Sequence, residues 1–129
     1  MTPRFDEHCP VNLGDSWADV ETMFNITTSL ERYYNEPDQP KGWHLRLASR
    51  GIWLFFDDSQ HIRSLRFDSP FLGAIDGVRI GDDPRRVRAT KGKAHRKWPV
   101  NDGVERWLYD APFLRVDFGG DGTVETIFL

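Results

Sequence analysis

The stretch VNLGDSWADV at Val11–Val20 returns as GVRIGDDPRRV at Gly77–Val87. At an offset of 67, Val78 falls on Val11, Ile80 on Leu13, Gly81 on Gly14, Asp82 on Asp15 and Val87 on Val20. An echo at fixed offset implies that one supersecondary unit is used twice, which constrains the fold more than any composition does. Both echoes read as helix starts. Ser16 and Asp83 share the same aligned position and are good N-caps, and Pro84 stands at a first helical position, where its missing N–H costs nothing. Trp17, Val20 and Phe24 then form one apolar stripe of a short helix, while the second helix keeps Val87 and should stop near Gly92. A further helical turn is predicted at Ser29–Tyr34, ended by Asn35 and Pro37.

The rest of each copy reads as strands. Trp43–Ser49 alternates Trp43, Leu45 and Leu47 with His44, Arg46 and Ala48. Gly51–Phe67 reads as two strands joined at Asp57–Gln60; the second copy offers Val104–Asp110, then Phe113–Leu129 with a turn at Gly119–Gly122. Here the offset becomes 62, pairing Leu54 with Val116, Phe56 with Phe118, Ile62 with Val124, Leu65 with Ile127 and Phe67 with Leu129. The expected fold is α+β: two tandem copies, 11–67 and 78–129, each a helix and a three-stranded antiparallel meander, joined by a linker at 68–77. A copy of that size buries little core alone, so both should share or pack one sheet layer within a single domain, 1–129.

Charge is unevenly distributed on this nearly neutral chain of net charge −3. Residues 1–40 hold eight acids against Arg4 and Arg32, and Arg85–Lys97 holds seven Lys or Arg and no acid. The basic run reads as a solvated helix face and loop, paired with the acidic amino-terminal segment or contacting an acidic partner. A sequence pI of about 5.8 argues against direct nucleic-acid binding. No apolar run approaches the length of a membrane span, and MTPRFDEHCP has no apolar leader. With a single cysteine, Cys9, no internal disulfide can form, and the chain is expected to be cytoplasmic unless a leader preceded Met1.

The second copy carries Gly77-Val78-Arg79-Ile80-Gly81-Asp82-Asp83, Val87, Trp107-Leu108-Tyr109, and Val116-Asp117-Phe118 followed by Gly122-Thr123-Val124-Glu125-Thr126-Ile127. This pattern resembles the repeat of β-lactamase inhibitor proteins and of outer-membrane assembly lipoproteins of the SmpA/OmlA type. The resemblance implies a protein that binds other proteins with a sheet face and loops formed by two tandem copies. Those families are exported, and the inhibitor proteins carry two disulfides; this chain shows neither a leader nor a lipobox cysteine. A cytoplasmic protein of that shape is similar to a bacterial immunity protein, which neutralises a toxin by occluding its active site.

Motifs that look catalytic have structural explanations. Gly119–Thr123 reads GGDGT but precedes a strand, so it is expected to be a hairpin turn rather than a phosphate cradle. Asp57-Asp58 begins a turn and Asp82-Asp83 caps a helix. His8, His44, His61 and His95 lack metal-ligand spacing, and Cys9 has no defined acid partner. No cofactor, metal or catalytic residue is expected.

Partner binding is expected from the acids Asp19, Glu21 and Glu31 and from Tyr33, Tyr34, Trp53, Phe55, Trp98 and Arg115, with Trp43 and Trp107 as further aromatic anchors. If Leu54 and Phe56 face the helices, Trp53 and Phe55 lie on the other side of the sheet with Arg115 and Asp117, unless Phe71 and Leu72 cover them. The expected function is thus a non-enzymatic binding module, foremost an immunity protein whose acidic first copy meets a basic toxin such as a nuclease. An exported adaptor of the SmpA/OmlA type is the second reading, and a small-ligand protein or enzyme the third.

Overall fold

The computed structural model describes residues 3–24, 31–36, 39–101 and 104–129. The first half runs α1 (Trp17–Phe24), β1 (Glu31–Glu36), β2 (Gln39–Leu47), β3 (Ile52–Phe56) and β4 (Ile62–Asp68). A small hairpin, β5 (Ala74–Ile75) and β6 (Val78–Arg79), leads to the second half: α2 (Pro84–Lys91), β7 (Arg96–Asn101), β8 (Val104–Asp110), β9 (Phe113–Phe118) and β10 (Val124–Phe128). The chain is α+β. Among the described residues, eight strands form one antiparallel sheet in the order β1-β2-β3-β4-β10-β9-β8-β7, so each half is a meander whose last strand meets the other in the middle.

The echoed sequence makes the same bonds in both places. Asp15 Oδ2 accepts from the Asn12 amide at 2.8 Å, and Asp82 Oδ2 from the Arg79 amide at 2.9 Å. The Gly14 amide donates to the Ile62 carbonyl and the Gly81 amide to the Val124 carbonyl, both at 2.8 Å. Ile62 and Val124 return the bond, donating to the carbonyls of Asp15 and Asp82. Gly14 and Gly81 have φ of 93° and 94°, a left-handed backbone that an L side chain resists. Each loop thereby ties a helix start to the first residue of a hairpin's second strand.

The caps match the sequence. Ser16 Oγ accepts from the Asp19 amide at 3.2 Å, and Asp83 Oδ1 from the Arg86 amide at 2.8 Å, with Pro84 first in the helix. The α2 helix ends at Gly92. Asp83→Ala is expected to cost about 1 kcal/mol, seen as a lower urea midpoint with unchanged slope.

Both helices and the β5–β6 hairpin pack on one face of the sheet. Val20, Leu54, Phe56, Leu65 and Phe67 from the first half and Val87, Trp107, Val116, Phe118 and Ile127 from the second belong to one buried cluster. Trp17 meets Phe56 edge-on at 5.8 Å, and Phe71 lies 4.6 Å from Phe67, so the linker covers the core face. The apolar residues paired at offsets 67 and 62 are all in this cluster or packed against it.

Three expectations need correction. Glu31–Tyr34 is strand, not helical turn, because the segment pairs along β2. Each half has four strands rather than three, since β1 and β7 add an outer edge to each meander. The basic run does not end as helix and loop either. Its tail enters β7, Lys91 pairs with Asp76 at 2.7 Å, and Arg86 approaches Asp82 rather than the acidic amino-terminal segment.

Candidate functional site

Alternation along β3 buries Ile52, Leu54 and Phe56 and turns Trp53 and Phe55 to the opposite face. Among the described residues, no helix or strand lies over that face. Cross-strand register fixes its membership. His44 and Arg46 of β2 oppose Phe55 and Trp53, and Arg66 of β4 opposes both Trp53 and, across the sheet's centre, Phe128 of β10. Arg115 and Asp117 of β9 follow, then Arg106 and Leu108 of β8, then Arg96 and Trp98 of β7.

Aromatic and cationic groups interleave here. The rings of Trp53 and Phe55 are nearly parallel, 6.3 Å apart, and Phe55 lies 5.9 Å from Phe128. Arg46 sits 4.9 Å over Trp53, and Arg115 4.6 Å over Phe128; such contacts hold a guanidinium while leaving its donors directed outward. Asp117 is the main internal counter-ion. It takes two bonds from Arg106, at 3.0 and 3.3 Å, and lies 3.5 Å from Arg115. Burial disfavours the charge on Arg115, Asp117 favours it, and repulsion from Arg106 and Arg66 leaves the guanidinium pKa below its usual value. Leu108 and Thr126 are buried although they belong to this face, being lodged between these larger groups.

The structure therefore divides the sequence-derived candidates. Trp53, Phe55, Trp98 and Arg115 share the open face, all of them half-buried. Asp19 and Glu21 are exposed on α1, in the helix layer behind the sheet. Glu31, Tyr33 and Tyr34 belong to edge strand β1, but their side chains lie outside the described residues. Trp107 is a core residue, 2% exposed, and Trp43 packs against the core. Trp107 is therefore too buried to serve as a surface anchor, and Trp43 faces the core side of the sheet. Phe71 and Leu72 do not cover Trp53; Phe71 is on the far side of the sheet, and Leu72 is 74% exposed. Sequence reasoning missed Phe128, Arg66 and Arg106, whose membership depends on pairing between distant strands, and held Arg96 only as part of the basic run Arg85–Lys97.

The motifs set aside as structural do structural work. Asp57 Oδ1 accepts from the Ser59 and His61 amides, and Asp121 Oδ1 from the amide and hydroxyl of Thr123 in the hairpin turn. Cys9 is buried, and burial pushes its thiol up to about 12, far from a thiolate nucleophile. Asp6, Glu7 and His8 lie together, but Asp6 is spent on the Ala74 and His8 amides. A cleft of about 490 Å³ opens at the sheet margin between Arg46, Asp68 and the Gly119–Thr123 turn. No helix among the described residues is long and apolar enough to cross a membrane.

No protein-family model and no curated protein matches the chain. A solved structure of a DUF4309 family protein (YjgB) from Bacillus subtilis is similar, with a TM-score of 0.55 over 88% of this chain and 76% of that one, at 16% sequence identity. At that identity the likeness concerns the fold alone.

Proposed function

We propose that this protein is a non-enzymatic protein-binding module that receives its partner on the open face of its sheet. Within that class we read it as a cytoplasmic bacterial immunity protein that occludes a toxin's active site. One observation carries the binding reading: a broad sheet face that no described helix or strand covers, set with half-buried Trp53, Phe55, Phe128 and Trp98 among arginines. Tryptophan and arginine are the residues on which interface energy concentrates, and half-buried rings hold their shape before the partner arrives. The immunity reading adds the resemblance of the repeat pattern to inhibitor proteins. It takes the two halves as tandem copies, which the shared bonds at Gly14 and Gly81 favour. An adaptor of the SmpA/OmlA type would use the same face and differs in its partner.

The test is co-expression with the product of the neighbouring reading frame, followed by co-purification and by relief of any toxicity. A complex is expected, and Trp53→Ala should weaken it by about 2 kcal/mol, roughly thirtyfold. The pair Asp19→Lys and Glu21→Lys on α1 should change association little. The reverse pattern, with loss on the α1 reversals and none at Trp53, would place the partner on the helix layer instead.

A further inference from the structure

The open face has a polarity that the charge of the whole chain conceals. Following register straight across the sheet, Arg46 opposes Trp53, Trp53 opposes Arg66, and Arg66 opposes Phe128. Phe128 then opposes Arg115, Arg115 opposes Leu108, and Leu108 opposes Arg96. Seven strands thus contribute one row in which a cation alternates with an apolar side chain. Neighbouring strands lie about 4.8 Å apart, so the arginines recur about every 10 Å along a row of about 29 Å. Arg106, in the adjacent row, adds a fifth guanidinium beside Trp98 at 5.9 Å.

Among the described residues, the carboxylates on this face of the strands are engaged with basic side chains. Asp117 serves Arg106 and Arg115, Asp68 lies 3.5 Å from Arg66, and Asp110 takes His95 at the margin. Among the described residues, Arg46 and Arg96 have no carboxylate partner. Trp53 Nε1 is buried without a hydrogen-bond acceptor among the described residues, while Arg66 Nε and Arg115 Nε, also buried, face Asp68 and Asp117 at 3.5 Å without forming a hydrogen bond.

We infer that the surface received by the open face is a strip of carboxylates on the partner protein. The inference rests on the open-face docking reading and reverses the polarity expected from the acidic first half. Carboxylates fit because a guanidinium offers them paired, planar donors. Nucleic acid fits less well. Guanidiniums already lie over Trp53 and Phe128, where a base would stack.

The probe is a fluorescent oligoglutamate of about ten residues, which spans the row when extended. Its anisotropy is read with the intact protein at about 10 mM salt, where screening is weak. Oligo(dT) and oligolysine of similar length serve as comparisons. Oligoglutamate is expected to bind and to weaken at least tenfold in Arg66→Gln/Arg115→Gln, whose substituted side chains keep polar volume and whose folding is checked by its melting curve. Arg85→Gln, removing a cation from α2, should leave binding within twofold. Three results would overturn the inference: no oligoglutamate binding, equal weakening by Arg85→Gln, or tighter binding of oligo(dT) through the same arginines. Co-purification of the neighbouring product reads the underlying function separately. A complex that needs Trp53 but ignores the arginines would sink the acidic match and keep the docking face. Oligoglutamate binding through the arginines without a neighbouring partner would keep the match and sink the immunity role.

Discussion

A chain ending at Gly77 is expected to lose its cooperative thermal transition altogether, and so is a chain beginning at Val78. Each half contains a helix and four strands, which looks self-sufficient, but the sheet's centre is made between them. The central pairing matches Phe67 to Ile127 and Arg66 to Phe128, and the Leu129 amide donates to the Leu65 carbonyl at 2.8 Å. Removing the second half turns β4 into a raw edge and uncovers the flank of Leu65 and Phe67, both fully buried in the whole chain. Each such side chain contributes about 1.5–3 kcal/mol on burial, and a fragment of this size rarely holds more than about 3–5 kcal/mol in total. Loss of two or three of them exhausts that margin. Far-UV circular dichroism and amide proton dispersion of each fragment would check this, and mixing the two should restore the melting transition. A fragment that melts cooperatively alone would mean that the halves are independent domains that merely dock.

That dependence explains what could be read from the chain. Positions that close the core were legible because their constraint is local: the Gly-Asp loops, the caps at Ser16 and Asp83, and the alternation of Ile52–Phe56 each lie within a few residues. Strands β1 and β7 were not. An edge strand has one paired neighbour, and natural edges carry Pro and Lys to discourage further pairing. RKWPVN, with Lys97 and Pro99, therefore reads as loop, and ERYYNE lacks an apolar alternation. Trp107 reads as a surface anchor in the sequence for another reason, which lies in the strand Val104–Asp110. Both of its faces hold apolar residues, with Trp107 and Tyr109 inward and Leu108 outward among arginines. The arginine row was invisible in the linear sequence, since its members run from Arg46 to Phe128 and meet only once all eight strands are ordered.

Replacing Lys91 with Met should cost about 3 kcal/mol and flatten the acid limb of the stability curve. Asp76 joins three parts of the molecule: its Oδ1 accepts from the Arg4 amide at 2.6 Å, its Oδ2 from Lys91 Nζ at 2.7 Å, and its own amide donates to the Arg4 carbonyl. Side-chain exposure is 11% for Asp76 and 13% for Lys91, so removing the ammonium leaves a carboxylate largely out of water. Breaking a buried pair from one side costs about 3–5 kcal/mol, and the residual exposure here places the loss at the low end. Burial alone would raise the Asp76 pKa, but the Arg4 amide, the Lys91 bond and charge, and the Arg4 charge outweigh it and hold the carboxyl below its ordinary value. A lowered folded-state pKa contributes stability that is complete above the ordinary aspartate value and is lost as pH falls through the folded value. Asp6 adds to the same limb: burial raises its carboxyl, but the Ala74 and His8 amides and the His8 charge hold it below its ordinary value. Acid therefore weakens both ties between the amino-terminal segment and the β5–β6 hairpin region. Urea midpoints measured from about pH 5 to pH 2 should fall less steeply in Lys91→Met than in the parent, because its Asp76 has less stabilisation to lose. The double variant Asp76→Asn/Lys91→Met should recover part of the loss at neutral pH, since no charge is then left unpaired. Parallel acid limbs in the parent and Lys91→Met would show that Lys91 contributes nothing to the low Asp76 pKa, and would move the tie entirely to Arg4.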